Sequence, residues 1–155
     1  MVSFRKILYP TDFSELSAYA FDHAFSLASA LRAELHCLHV VDDSYQYWLS
    51  FDAATVPAGP PTEELVAAAQ TELDRFLLPR QTEGMEIQRQ VRRGKAFLEI
   101  IGYARENQID LIVLGTHGWS ALRNVLMGTV AEKVIRKSPV PVLSVRHPAH
   151  PFEMP

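Results

Sequence analysis

With 155 residues, 48% of them hydrophobic and 21% charged, the chain has the size and balance of one globular domain able to bury a core. A formal net charge of −3 gives no general attraction to nucleic acid or to an anionic membrane surface. The apolar runs are too short to span a bilayer, no basic stretch followed by an apolar core opens the chain, and a single cysteine excludes an internal disulfide, so a cytoplasmic location is expected.

Ile7-Leu8-Tyr9 is the core of a first short strand, closed by Pro10. Leu16, Ala20, Ala24, Leu27, Ala28 and Leu31 then recur with the spacing of an amphipathic helix. Leu35 to Val41 has strand length and holds Cys37, whose plain reading is a small buried hydrophobe. After it, Asp42 to Pro61 is a long polar connection carrying Tyr45, Tyr47, Trp48 and Phe51. So many aromatics argue against disorder and for a packed cluster, a partner-binding patch or a flap over a ligand.

Pro61 and Thr62 lead into a second helix with Leu65, Ala68, Ala69, Leu73, Phe76 and Leu77 on one side. Met85, Ile87, Arg89 and Val91 alternate with polar residues as a third strand, whose charge suits a sheet edge. Gly94 turns the chain into a third helix through Phe97, Ile100, Ile101 and Ala104. Leu111 to Leu114 is short and unbroken, as a central parallel strand is. A fourth helix over Val130 to Lys137 and a fifth strand over Val142 to Val145 follow. The proline-rich tail from residue 148 to 155 is expected to be loosely attached, leaving residues 1–147 as the domain.

Strict alternation of strand and helix specifies an α/β fold: an open five-stranded parallel sheet, flavodoxin- or Rossmann-like, with helices on both faces. The strand order expected is 3-2-1-4-5, which reverses the winding between strands 1 and 4. Ligands of such sheets bind beyond the carboxyl ends of the strands at that reversal. Two connections meet there: Pro10-Thr11-Asp12, and the segment from Gly115 to Met127.

That second connection holds Gly115, Gly118 and Gly128 in a chain with only seven glycines, spaced Gly-x2-Gly-x9-Gly-Thr. A helix N-terminus offers unpaired N–H groups and the positive end of a dipole, so a phosphate can rest on the amides of Gly128 and Thr129. Gly115 and Gly118 let the backbone wrap the same group, and His117 or Arg123 adds charge. There is no Gly-Lys-Ser/Thr ending of a Walker loop and no Gly-x-Gly-x-x-Gly after the first strand. Simpler roles exist for the same residues. Thr129 with Glu132 matches a capping box, and Asp12 with Glu15 matches a helix N-cap. His36 and His39 point to opposite faces of a strand and make a poor metal pair, and no metal site built from protein ligands is evident.

The stretches KILYPTDFSE, LHVVD and LIVLGTHGWSALRNVLMGTVAEKVIRKSPVPVLSV resemble the universal stress protein family, from about Arg5 to Arg146, in its single-domain form. The glycine spacing resembles that of the family's ATP-binding branch. The resemblance implies a crevice between strands 1 and 4 that holds adenosine. Asp12 would accept hydrogen bonds from the ribose, flanked by Pro10 and Thr11. The backbone of Val40 would read the adenine edge, and Leu114 would line the base and ribose. Gly115, His117, Gly118, Gly128, Thr129 and Val130 would surround the phosphates, with Mg²⁺ held by the phosphates themselves. This tilts Asp12 from capping towards ribose contact. ATP is the nucleotide implied, with AMP or ADP as the alternatives. The chain departs from relatives that carry Gly-x-Pro after strand 3, having Gly94-Lys95-Ala96.

The function implied is a dimeric, nucleotide-binding stress-response or signalling module with a protein partner that the sequence does not name. Slow ATP hydrolysis and a nucleotide-independent adaptor are the alternatives. No assembled base or paired carboxylates favour efficient turnover. The apolar segment Val140 to Val145, at a sheet edge, is where the family commonly pairs into homodimers.

Overall fold

The computed structural model describes residues 3–42, 62–80, 84–116 and 127–148. The aromatic connection, including Trp48, the loop residues His117, Gly118 and Arg123, and the tail beyond residue 148 lie outside the described residues.

The elements run β1 (Lys6–Thr11), α1 (Glu15–Leu31), β2 (Glu34–Val41), α2 (Thr62–Leu77) with a 3₁₀ turn (Leu78–Arg80), β3 (Ile87–Arg93), α3 (Ala96–Glu106), β4 (Leu111–Gly115), α4 (Thr129–Lys137) and β5 (Val142–Val145). The five strands form one sheet in the order β3-β2-β1-β4-β5, with every neighbouring pair parallel. The fold class, the strand order and the two edge strands are those expected from the alternation. None of the helices among the described residues is long and apolar enough to cross a membrane.

Strand residues alternate between two cores because successive side chains leave opposite faces. Ile7, Tyr9, Leu35, Cys37, Leu111 and Val113 pack under Ala20, Phe21, Ala24 and Ala28 of α1 and Leu73, Phe76 and Leu77 of α2. Leu8, Leu38, Ile112 and Leu114 pack under Ile100, Tyr103 and Ala104 of α3 and Ala131 and Val134 of α4. Cys37 is fully buried and free, and burial pushes its thiol pKa up, as suits a core side chain.

Local expectations shift in three places. The stripe of α1 is rotated: Ser17 and Phe21 are buried with Ala20, Ala24 and Ala28, while Leu31 is 46% exposed. In α2, Ala68 is exposed and Ala69 buried. Pro10 does not close β1, which continues to Thr11. The ladder to β2 runs through Pro10↔Leu38 and Thr11↔His39, whereas the ladder to β4 ends at Leu8↔Ile112. At Pro10 the central strand is therefore paired on one side only, where a missing N–H is tolerated as it is on an edge.

Candidate functional site

The early end of the β1–β4 ladder matters because it splits the sheet at the point where its winding reverses. Beyond Leu8 and Ile112 the two strands part, and a cavity of about 300 Å³ opens between their carboxyl ends. Its lining includes Pro10, Thr11, Asp12, Val40, Leu114, Gly115, Gly128, Thr129 and Val130. The fold thus gathers every described member of the sequence-derived set, from β1, β2, β4 and the start of α4. His117 and Gly118 lie outside the described residues.

Ser17, Leu38, His39, Ala96, Ile100, Thr116 and Ala131 also line the cavity and were not among the expected site residues. Thr116 was within reach, since it sits inside the glycine motif. The others carry no local signal: they arrive from the face of α1, the end of β2 and the first turns of α3 and α4. Leu38, Ile100, Leu114 and Ala131 belong to the core under α3 and α4 and make that side of the cavity apolar.

The polar side is built on the turn after β1. Ser14, not Asp12, is the N-cap of α1, its hydroxyl oxygen accepting from Ser17 N at 3.1 Å. Asp12 instead accepts at Oδ1 from Ser14 N (3.0 Å) and from Ser14 Oγ (2.6 Å). These two bonds orient the carboxylate, a group with about four acceptor positions. Thr11 Oγ1 accepts from Phe13 N and from Ser17 Oγ, both at 3.0 Å. Tyr9, fully buried, donates its phenol hydrogen to Ser17 O at 2.7 Å and anchors α1 to β1 beneath the site.

The start of α4 departs from expectation in two ways. Its N-cap is Gly128, without a side-chain cap bond, so Thr129 with Glu132 forms no capping box; Glu132 N donates to Gly128 O instead. The Gly128 N–H is already given to Thr116 O at 2.6 Å. The amides open to an anion are therefore those of Thr129, Val130 and Ala131, which the first turn leaves without intrahelical acceptors. Gly128 has φ −66°, an ordinary backbone value, so no positive φ requires a glycine there.

The two histidines of β2 face opposite sides. His36 Nδ1 meets the Tyr103 hydroxyl at 2.7 Å, and its Nε2 approaches Glu34 Oε1 at 3.1 Å without the alignment of a hydrogen bond. His39 Nδ1 donates to Thr11 O at 2.8 Å on the cavity side. Burial, outweighing the carbonyl of Thr11 and the charge of Asp12, holds the His39 pKa below the ordinary histidine value, so its ring is neutral near pH 7. Among the described residues no group of three or more His, Cys, Asp or Glu side chains is placed to hold a metal ion.

Residues 3–146 match the model of the universal stress protein family. The chain is 33% identical over 145 residues to universal stress protein MJ0531 of Methanocaldococcus jannaschii, covering 94% of this chain and 84% of that protein. It is 31% identical to universal stress protein YxiE of Bacillus subtilis, covering 92% and 99% of the two chains. Among solved structures, that of protein MJ0577 superposes with a TM-score of 0.78 at 30% identity, covering 94% of this chain and 98% of that one.

Proposed function

Because the chain belongs to the universal stress protein family, we propose that it is an ATP-binding, dimeric stress-response or signalling module of the family's single-domain form. One observation carries this reading: the cavity at the sheet reversal joins Asp12, Val40 and Leu114 to the first turn of α4 at Thr129 and Val130. A volume of about 300 Å³ lies at the lower end of ligand sites, enough for a nucleoside whose phosphates extend along that helix start. The apolar wall of Leu38, Ile100 and Leu114 suits a purine face, and the Val40 backbone suits its edge. Asp12 takes the ribose hydroxyls. The helix dipole and the amides of Thr129 and Val130 favour the phosphates. Gly115, Gly118 and Gly128 complete the spacing that resembles the ATP-binding branch, and His117 stands in the same loop. Mg²⁺ would be held by the phosphates.

Binding is favoured over turnover. The described titratable groups of the cavity, Asp12 and His39, stand at the ends of β1 and β2, on the ribose side rather than at the start of α4. Purified protein, denatured and analysed for released nucleotide, should yield an adenine nucleotide, and calorimetry should show ATP binding to nucleotide-free protein. Neither retained nucleotide nor heat with ATP, ADP or AMP would overturn the proposal. Single-turnover phosphate release measures the hydrolase alternative directly.

The dimer is proposed to form through β5, an edge strand with Leu143 39% exposed and Ser144 outward beside it. An exposed apolar edge is a template for pairing with a second chain.

A further inference from the structure

Asp12 is held from both sides by a device the nucleotide reading does not require in advance. On its N-terminal side, the Thr11 carbonyl accepts a hydrogen bond from His39 Nδ1 at 2.8 Å. A carbonyl oxygen can only accept, so Nδ1 carries the proton in both the neutral and the charged ring. On its C-terminal side, Phe13 has φ 64°, a left-handed conformation uncommon for a bulky residue without an obvious compensation. The compensation here is the same histidine: the Phe13 ring stacks on His39 with centroids 4.3 Å apart and planes 23° from parallel. Phe13 N also donates to Thr11 Oγ1, closing the turn on itself. One imidazole, delivered by the neighbouring strand through the Thr11↔His39 register, thus fixes the residue before Asp12 and the residue after it.

We infer that His39 is the positioning residue of this site, clamping the strained turn Thr11-Asp12-Phe13 so that the Asp12 carboxylate is held at the cavity for the ribose hydroxyls. The inference rests on the nucleotide reading above and adds to it a residue that acts through Asp12. A strained backbone conformation persists only where its surroundings over-determine it. The carbonyl bond and the ring stack are those surroundings. Because Nδ1 donates in either protonation state, the clamp holds across the pH range in which the protein is folded.

The test is calorimetric titration with ATP and with 2′,3′-dideoxy-ATP, which lacks both ribose hydroxyls. The unaltered protein should prefer ATP. His39→Phe retains a ring for Phe13 but donates nothing to Thr11, and should weaken ATP binding by roughly ten- to a hundredfold, the worth of a charge-assisted hydrogen bond. Its affinity for the dideoxy analogue should change little, so the preference collapses. His39→Asn, whose amide nitrogen stands near the place of Nδ1, should keep most of the preference. In an Asp12→Asn background, His39→Phe should cost nothing further, because coupled residues are not additive.

Retention of the full preference in a folded His39→Phe protein would overturn the inference. So would a loss that persists in the Asp12→Asn background, since it would mean direct contact between ring and ligand. Should His39→Phe fail to fold by circular dichroism, Phe13→Leu removes the stack on His39, with the looser ring contact to Phe76, while leaving the bond to Thr11 O, and must still lower the preference. If the unaltered protein binds no ATP, the nucleotide reading falls and this inference with it. If it binds ATP and the variants behave as wild type, only the inference falls.

Discussion

Replacing Gly94 with alanine should destabilise the protein by about 2 kcal/mol, and the structure indicates which effect dominates. Gly94 joins β3 to α3 with φ 141°, a conformation that L-residues rarely adopt; forcing a side chain there costs about 1–3 kcal/mol. The added Cβ would also meet Glu99 Oε1 at 2.8 Å. That oxygen is the end of a flexible side chain, and swinging it away gives up only its contact with Arg92, a partly exposed pair 3.7 Å apart. Such a pair contributes at most about 1 kcal/mol. Backbone strain should therefore outweigh the clash. In a domain of this size about 2 kcal/mol lowers the melting temperature by roughly 4–8 °C. Urea unfolding should show a lower midpoint with an unchanged slope. Gly84→Ala is the control: φ is 96° there and nothing lies within 4 Å of the added Cβ, so strain acts alone. The double change Gly94→Ala with Glu99→Ala should recover only a few tenths of a kcal/mol. A single variant within about 0.5 kcal/mol of the unaltered protein, or a double variant that regains most of the loss, would refute this reasoning.

Tyr9→Phe removes the buried phenol that donates to Ser17 O at 2.7 Å, and should cost about 1–2 kcal/mol in urea unfolding; an unchanged midpoint would show that Ser17 finds another partner. Burial, the leading cause, holds the His36 pKa below its unfolded value despite Glu34, so the folded state disfavours the proton. Stability from this group is fully present above the unfolded pKa of about 6.5 and is lost as pH falls through the folded pKa. His36→Gln should flatten the decline in urea midpoint below about pH 6.5, and parallel curves for the two proteins would assign the decline elsewhere. At β5, Val145 is buried and Val142 packs on the core under α3 and α4, so a charge at either would disturb the subunit itself. Leu143→Glu tests the edge more cleanly: light scattering should give dimer mass for the unaltered protein and monomer mass for the variant, and a monomer in both would remove the dimer from the proposal.

The sequence by itself determined the element order, the parallel sheet and its winding, because each depends on local pattern. Period-2 and period-3.6 hydrophobicity identify strands and helices, and right-handed crossovers leave few ways to lay them side by side. The reversal between β1 and β4 follows from that order, so the position of the cavity was legible, along with Asp12 and the glycine-flanked residues at its rim, whereas Val40 and Leu114 were implied by the family resemblance. What tertiary structure decided is how the groups at that place spend their hydrogen bonds. Asp12 and Thr129 both match capping motifs, yet Ser14 caps α1 and Gly128 begins α4, because capping depends on where the first helical turn closes in space. Gly128 reads as a phosphate amide until Thr116 O is found already bound to it. His39 reads as one of a poor pair of histidines until the β1–β2 register sets its ring against Thr11 O and Phe13. These choices turn on contacts between residues far apart in the chain, fixed by register and helix placement to within about an ångström, and hydrogen bonding discriminates at that scale.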